Sequence, residues 1–148
     1  MIDNSPINVQ FISIKTEDLA ISAQLTYTNM SRYYARYGVD WDVSKILAQI
    51  SHLDNWQILL QGEIVGALRL SFDAECCYLR DLQVSQQHQG KGVGGHALNY
   101  VAQFALASGV KRIELKVFKI SPAYPLYCRY GFEVSDEDER FYYMTKPL

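Results

Sequence analysis

The stretch QHQGKGVGGHAL, residues 87–98, puts four glycines into six positions (90, 92, 94 and 95). It follows the alternating run CYLRDLQV and precedes the helix-patterned VGGHALNYVAQFALAS. A strand, a glycine-rich connection and a helix N-terminus together form a general anion-binding arrangement. The amides of the first helical turn lack intrahelical acceptors, the helix dipole favours negative charge, and glycine lets a ligand approach the backbone. An ordinary tight turn rarely needs so many glycines.

The P-loop pattern GxxxxGK[ST] fails, because no Lys-Ser or Lys-Thr follows a glycine at that spacing. The dinucleotide fingerprint GxGxxG is met by Gly90, Gly92 and Gly95, with Glu114 near the place of the ribose-binding acid. Context opposes it: about fifty residues follow the loop, too few for the remaining parallel strands, and the preceding segments read as an antiparallel meander. The kinase glycine loop has the same spacing, but the chain is too short and lacks the catalytic loop and metal-binding triplet.

Outward from the loop the punctuation is regular. Residues 8–16 read as a strand, Thr16 is an N-cap candidate for a first helix, and a second, broken helical pattern is interrupted at Gly38 amid Tyr33, Tyr34, Tyr37 and Trp41. Extended runs follow at 55–61, 64–72 and 76–84, with turns at Gly62–Glu63 and near 73–75. The helix at 93–108 carries Ala97, Val101, Phe104 and Ala105 on one stripe, with Gly109 as its C′ residue. A strand at 111–118, a short helix opened by Pro122, and two strands flanking the acidic turn 135–139 complete the order. This β, α, α, β, β, β, loop, α, β, α, β, β order implies a mixed α/β (α+β) sheet with helices on both faces.

With 148 residues and 49% hydrophobic composition the chain suits a single domain, 1–148. A formal charge of −2 without a Lys/Arg block argues against a nucleic-acid partner. No run approaches the length of a membrane span, and MIDNSPINVQF lacks signal-peptide order, so the expectation is a cytoplasmic, soluble protein with no membrane partner. Cys76, Cys77 and Cys128 show no metal-ligand spacing and read as ordinary reduced core cysteines, with no metal expected.

The third loop pattern, Q/RxxGxG, is met by Gln89, Gly90, Lys91, Gly92, Val93 and Gly94. In this position it resembles motif A of the GNAT superfamily of acetyl-CoA-dependent N-acetyltransferases. IELKVF resembles that family's next strand, LYCRYGF its Leu-Tyr-x-x-x-Gly-Phe segment, and YYMTKPL its terminal strand, so the likeness covers roughly residues 56–148. It implies a mostly antiparallel sheet of six to seven strands, with a splayed strand pair holding acetyl-CoA as co-substrate. The pantetheine arm would bond to the backbone of Leu82, Gln83 and Val84, and the pyrophosphate to the amides of Gln89–Gly95. Lys91 would lie near a phosphate or stay solvated, and Gly95 would serve helix packing.

Tyr127 matches the family's general acid, a phenol that protonates the departing thiolate; packing among Tyr124 and Tyr130 is the competing reading. The position most often acidic in the family holds Tyr78, which leaves Asp81 and Glu75 as base candidates beside a water relay. The Asn expected after IELKVF is absent from KISPAYPLY, and Ser121 is the nearest polar substitute. The acceptor, a small-molecule or peptide amine, would be bordered by Tyr33, Tyr37 and Trp41 and by the acidic turn, all of which could equally be core and solvated hairpin. A homodimer stays open, as do a catalytically silent acetyl-CoA-binding module and a nucleotide-binding domain.

Overall fold

The computed structural model describes residues 8–148. The leader-free reading of the N-terminal stretch therefore lies largely outside the described residues. Strand β1 (Val9–Ser13) leads through one 3-10 turn, Thr16–Asp18, into α1 (Ala20–Tyr37) and α2 (Val43–Ile50). Strands β2 (Asp54–Leu60), β3 (Glu63–Phe72) and β4 (Cys76–Val84) follow, then the 3-10 turn Gln86–His88 and α3 (Val93–Ala107). The chain closes with β5 (Arg112–Phe118), α4 (Tyr124–Arg129), β6 (Glu133–Glu137) and β7 (Phe141–Pro147). The seven strands are ordered β1-β2-β3-β4-β5-β7-β6, and β4–β5 is a parallel pair in this mostly antiparallel sheet.

The expected element order holds, with local corrections. Thr16 does not cap α1: it opens the 3-10 turn, and α1 starts at Ala20 behind Leu19 without a side-chain cap. The interruption expected at Gly38 is present, since α1 ends there in the left-handed region, φ 64°, and α2 starts at Val43; residues 31–37 belong to the first helix, α1, rather than to the second. Asp42 then caps α2 by accepting from the Lys45 amide at 2.8 Å. The β2–β3 turn sits at Gln61–Gly62, with φ 53° and 82°, because a two-residue hairpin loop matches sheet twist when both central residues are left-handed. In α4 it is Pro125, rather than Pro122, that lies in the first turn, where its missing N–H costs nothing. On α3, Phe104 stays exposed, while Leu98 is buried with Ala97, Val101 and Ala105.

The fold comprises two compact units, and strands β3 and β4 run through both. One unit holds the described residues up to Leu68 and Gln83–Val93, with a core of Leu19, Ala23, Ile46 and Ile50. The other holds Arg69–Leu82 and Gly94–Leu148, with Ile113, Leu115, Phe132 and Met144 buried. Cys76 and Cys77 are fully buried in this second unit, as core cysteines are, whereas Cys128 is exposed on α4 and is not the core residue expected. Burial pushes the Cys76 thiol up to about 11, with the Glu114 charge a lesser cause. No helix among the described residues is long and apolar enough to cross a membrane.

Candidate active site

In the first unit the end of β4 is held unusually close to β3. A Cβ at Gly66 would collide with the backbone oxygen of Gln83, so only glycine lets the strands approach this far. The Ser85 amide still donates to the Val65 carbonyl at 2.8 Å, fixing the strand end. The Val84 carbonyl accepts two side-chain donors, Asn29 Nδ2 and Gln89 Nε2, each at 2.9 Å. Gln89 thus folds back onto the strand it follows. His88 is tied to Ser85 through a 2.6 Å Nδ1–Oγ contact.

The glycines of the loop divide by physical role. Gly90 and Gly92 adopt left-handed backbone, φ 76° and 87°, a conformation that costs an L side chain about 1–2 kcal/mol. Space is not the constraint at Gly90, where an added Cβ meets nothing within 4 Å. In the second unit, Gly94 and Gly95 open α3 at ordinary φ and are limited by space instead. A Cβ on Gly94 would lie 2.9 Å from Leu126 Cδ2, and one on Gly95 would strike the Tyr130 hydroxyl. Lys91 and Gly92 are exposed and Val93 is buried.

The second unit also contains the parallel strand pair. Register between β4 and β5 covers Cys76–Tyr78 against Arg112–Glu114 and stops there, while β5 continues to pair with β7 as far as Phe118–Phe141. From Leu79 to Leu82, about 13 Å of strand, β4 runs on beyond that register. Asp81, at 22% side-chain exposure, makes a 2.5 Å ion pair with Arg69, whose side chain is fully buried. Glu75 forms an exposed 3.0 Å pair with Lys111. The two base candidates therefore stand about 20 Å apart along the chain and cannot serve one reacting atom together.

Tyr127 is 7% exposed and lies edge-on to Phe132, with ring centroids 5.9 Å apart. Burial first, and the Asp81 charge second, hold its phenol well above the ordinary tyrosine range. Tyr78 donates to Asp73 Oδ2 at 2.7 Å and is pushed up to about 12, mainly by that hydrogen bond. Ser121 Oγ accepts from the Ala123 amide at 3.1 Å, which shapes the approach to α4.

The aromatic candidates in the first unit differ among themselves. Tyr33 is buried beneath the Arg32 guanidinium, 5.0 Å from its ring centre. Trp41 packs on the α1–α2 core beside Tyr34, and Tyr37 is half-buried. The acidic turn of the second unit is internally committed: Asp138 accepts from the Arg140 and Phe141 amides and from the Tyr143 hydroxyl, and Glu137 pairs with Lys119 at 3.0 Å.

Sequence reasoning passed over Asn29. Its neighbours on the buried face of α1, Ser22, Thr26 and Tyr33, make a polar stripe at helical spacing, and that stripe was the available signal. A search for apolar periodicity does not register it.

The matches to known proteins agree with one another. A profile of the Acetyltransferase (GNAT) family matches residues 23–132. Streptothricin acetyltransferase from Streptomyces lavendulae is 30% identical over 87 residues, which span 57% of this chain and 46% of that relative, so the match covers about half of the curated protein. The PaiA N-acetyltransferase from Thermoplasma acidophilum in complex with coenzyme A superposes with a TM-score of 0.73 at 19% identity, over 95% of this chain and 99% of that one. A GNAT family acetyltransferase from Elizabethkingia anophelis with acetyl-CoA bound gives 0.72 at 17% identity, over 95% and 99%. The structural likenesses establish the fold, and on the extent of the profile match the chain belongs to the GNAT acetyltransferase family.

Proposed function

We propose that this chain is an N-acetyltransferase that moves the acetyl group of acetyl-CoA to a primary amine of a small molecule or peptide by direct attack in a ternary complex. The observation that carries the reading is the early end of the β4–β5 register at Tyr78 and Glu114 in a chain that belongs to this family. Acetyl-CoA, when bound, supplies an activated acetyl thioester. The left-handed backbone at Gly90 and Gly92 suits a ligand with an anionic end.

In this reading Leu82, Gln83 and Val84 line the pantetheine arm, and the amides of Gln89–Gly95 hold the pyrophosphate. Tyr127 acts as a hydrogen-bond donor to the developing thiolate. An ordinary thiol titrates near 8.5, below a buried phenol, so complete transfer from Tyr127 is uphill unless the phenol is reprotonated as the acceptor nitrogen loses its proton. The base assignment narrows to Asp81 or solvent, because Asp81 acts electrostatically on Tyr127 whereas Glu75 sits near the start of β4 with Lys111.

The test is thiol release from acetyl-CoA with a panel of amines that includes streptothricin, polyamines and basic peptides. Turnover with at least one amine, and a kcat about 100-fold lower for Tyr127→Phe, is the expected result. Acetyl-CoA binding without turnover on any amine would favour the silent module. Tighter binding of NAD or ATP than of acetyl-CoA would favour the nucleotide-binding reading.

A further inference from the structure

In the second unit one face of the sheet buries Ile113, Leu115, Val117 and Met144, while the opposite face carries charges that do not cancel. Burial alternates along β5, so Glu114, Lys116 and Phe118 share that opposite face, with Thr145, Tyr143 and Phe141 beside them on β7. Tyr78 of β4 joins it by pairing with Glu114, and the Arg80 guanidinium lies over the Tyr78 ring, 4.6 Å from its centre.

The carboxylates near these cations are already engaged. Glu114 pairs with Arg112 at 3.0 Å. Asp73 accepts from the Tyr78 hydroxyl at 2.7 Å and from the Glu75 and Cys76 amides, and Asp138 accepts from the Tyr143 hydroxyl and from two amides. Glu133 and Asp136 lie out on β6, the edge strand, with β7 between them and β5. Arg80 and Lys116 are exposed, and neither has a carboxylate partner among the described residues.

Both cations are nevertheless held in place. Arg80 Nε donates to Ser71 Oγ at 2.8 Å, which leaves the two terminal nitrogens of the fork with no acceptor among the described residues. Lys116 Nζ sits 4.7 Å from the centre of the Phe141 ring, which in turn stacks on Phe118 at 4.4 Å. Each lies two residues past the last pair of the parallel ladder, Tyr78 and Glu114, so one cation stands on each strand where β4 and β5 stop pairing.

We infer that Arg80 and Lys116 together hold a carboxylate of the acceptor, which is therefore an anionic substrate, a primary amine that also bears a carboxylate. The inference rests on the proposed function and names the charge class of its acceptor. A guanidinium fork takes a carboxylate through two parallel N–H donors, and an ammonium beside it adds a point charge. A polycationic amine would meet two like charges at the same place. The carboxylate takes no part in the bond changes; Arg80 and Lys116 determine specificity and are not catalytic residues.

Initial rates at saturating acetyl-CoA test this, with amino acids from glycine to aminohexanoate, each paired with its carboxamide, and with putrescine, all compared at equal free-amine concentration. At least one acid should exceed both its carboxamide and putrescine about tenfold in kcat/KM, an advantage that shrinks as salt is raised. Arg80→Gln and, separately, Lys116→Gln should each lower that acid-to-carboxamide ratio several-fold; because both side chains are exposed, two independent variants keep the test open if one misfolds. Carboxamides or putrescine turned over as well as every acid would overturn the inference and leave the proposed function standing. A ratio unmoved in both variants would overturn it too. So would a loss of acetyl-CoA affinity, read by calorimetry, equal to the rise in acceptor KM, since the cations would then serve the phosphates of the co-substrate. Failure of the wild-type chain to bind acetyl-CoA would remove the proposed function and this inference together, an outcome distinct from the others.

Discussion

Glycines that look alike in sequence answer to different forces. At Gly90 the constraint is torsional, so Gly90→Ala should cost about 1 kcal/mol and weaken acetyl-CoA binding through a distorted loop. At Gly95 it is volume, so Gly95→Ala should cost about 1–3 kcal/mol, and a second change, Tyr130→Ala, should offset most of that cost. Denaturant unfolding of the two single variants and the double variant checks both. Asp81→Ala leaves the fully buried Arg69 guanidinium without its carboxylate, and a loss of about 3 kcal/mol is expected in the same assay. Any activity lost in that variant has to be separated from instability before Asp81 is assigned as a base. The sequence motif located these glycines but could not sort them, since φ and the distance to Tyr130 depend on where the chain returns thirty-five residues later.

At the scale of elements, boundaries were legible wherever one residue has a strong local preference. Gly38 and Gly109 end helices, as isolated chemistry dictates, whereas Asp42, which caps α2, was not read as a helix start from the sequence. Asp42→Ala should therefore lower stability by about 1 kcal/mol, read from the midpoint of thermal or urea unfolding. The misread points involve competition between neighbours. Thr16 had a cap's chemistry, but a 3-10 turn intervened, and its hydroxyl makes only a long 3.4 Å contact with the Ser51 carbonyl. Between Pro122 and Pro125 the first turn of α4 went to the later one, which places Ser121 and Ala123 in the preceding turn. The early end of the β4–β5 ladder was expected from the family likeness, whereas no alternation within IELKVF or CYLRDLQV reveals that pairing stops at Tyr78.

For the whole molecule, the alkaline range carries the clearest signature. The folded-state phenol of Tyr127 is raised above its unfolded value near 10, so the stability it contributes is complete below about pH 10 and is lost as pH climbs toward the folded value. Tyr127→Phe should lose less stability than the wild type between pH 10 and 12, measured by unfolding at each pH. For the same reason kcat should rise with acceptor deprotonation and show no decline assignable to Tyr127 below pH 10. A descending limb near pH 8 would speak against this tyrosine as the donor.

The placement of the cysteines bears on how the proposed acetyl transfer is assayed. With Cys76 and Cys77 fully buried and Cys128 exposed, a chromogenic disulfide should titrate one thiol per native chain and three after denaturation. Released CoA must therefore be counted above a stoichiometric protein background. Because Cys128 directly follows Tyr127 on α4, a fluorophore attached there would give an optical reporter beside the proposed acid.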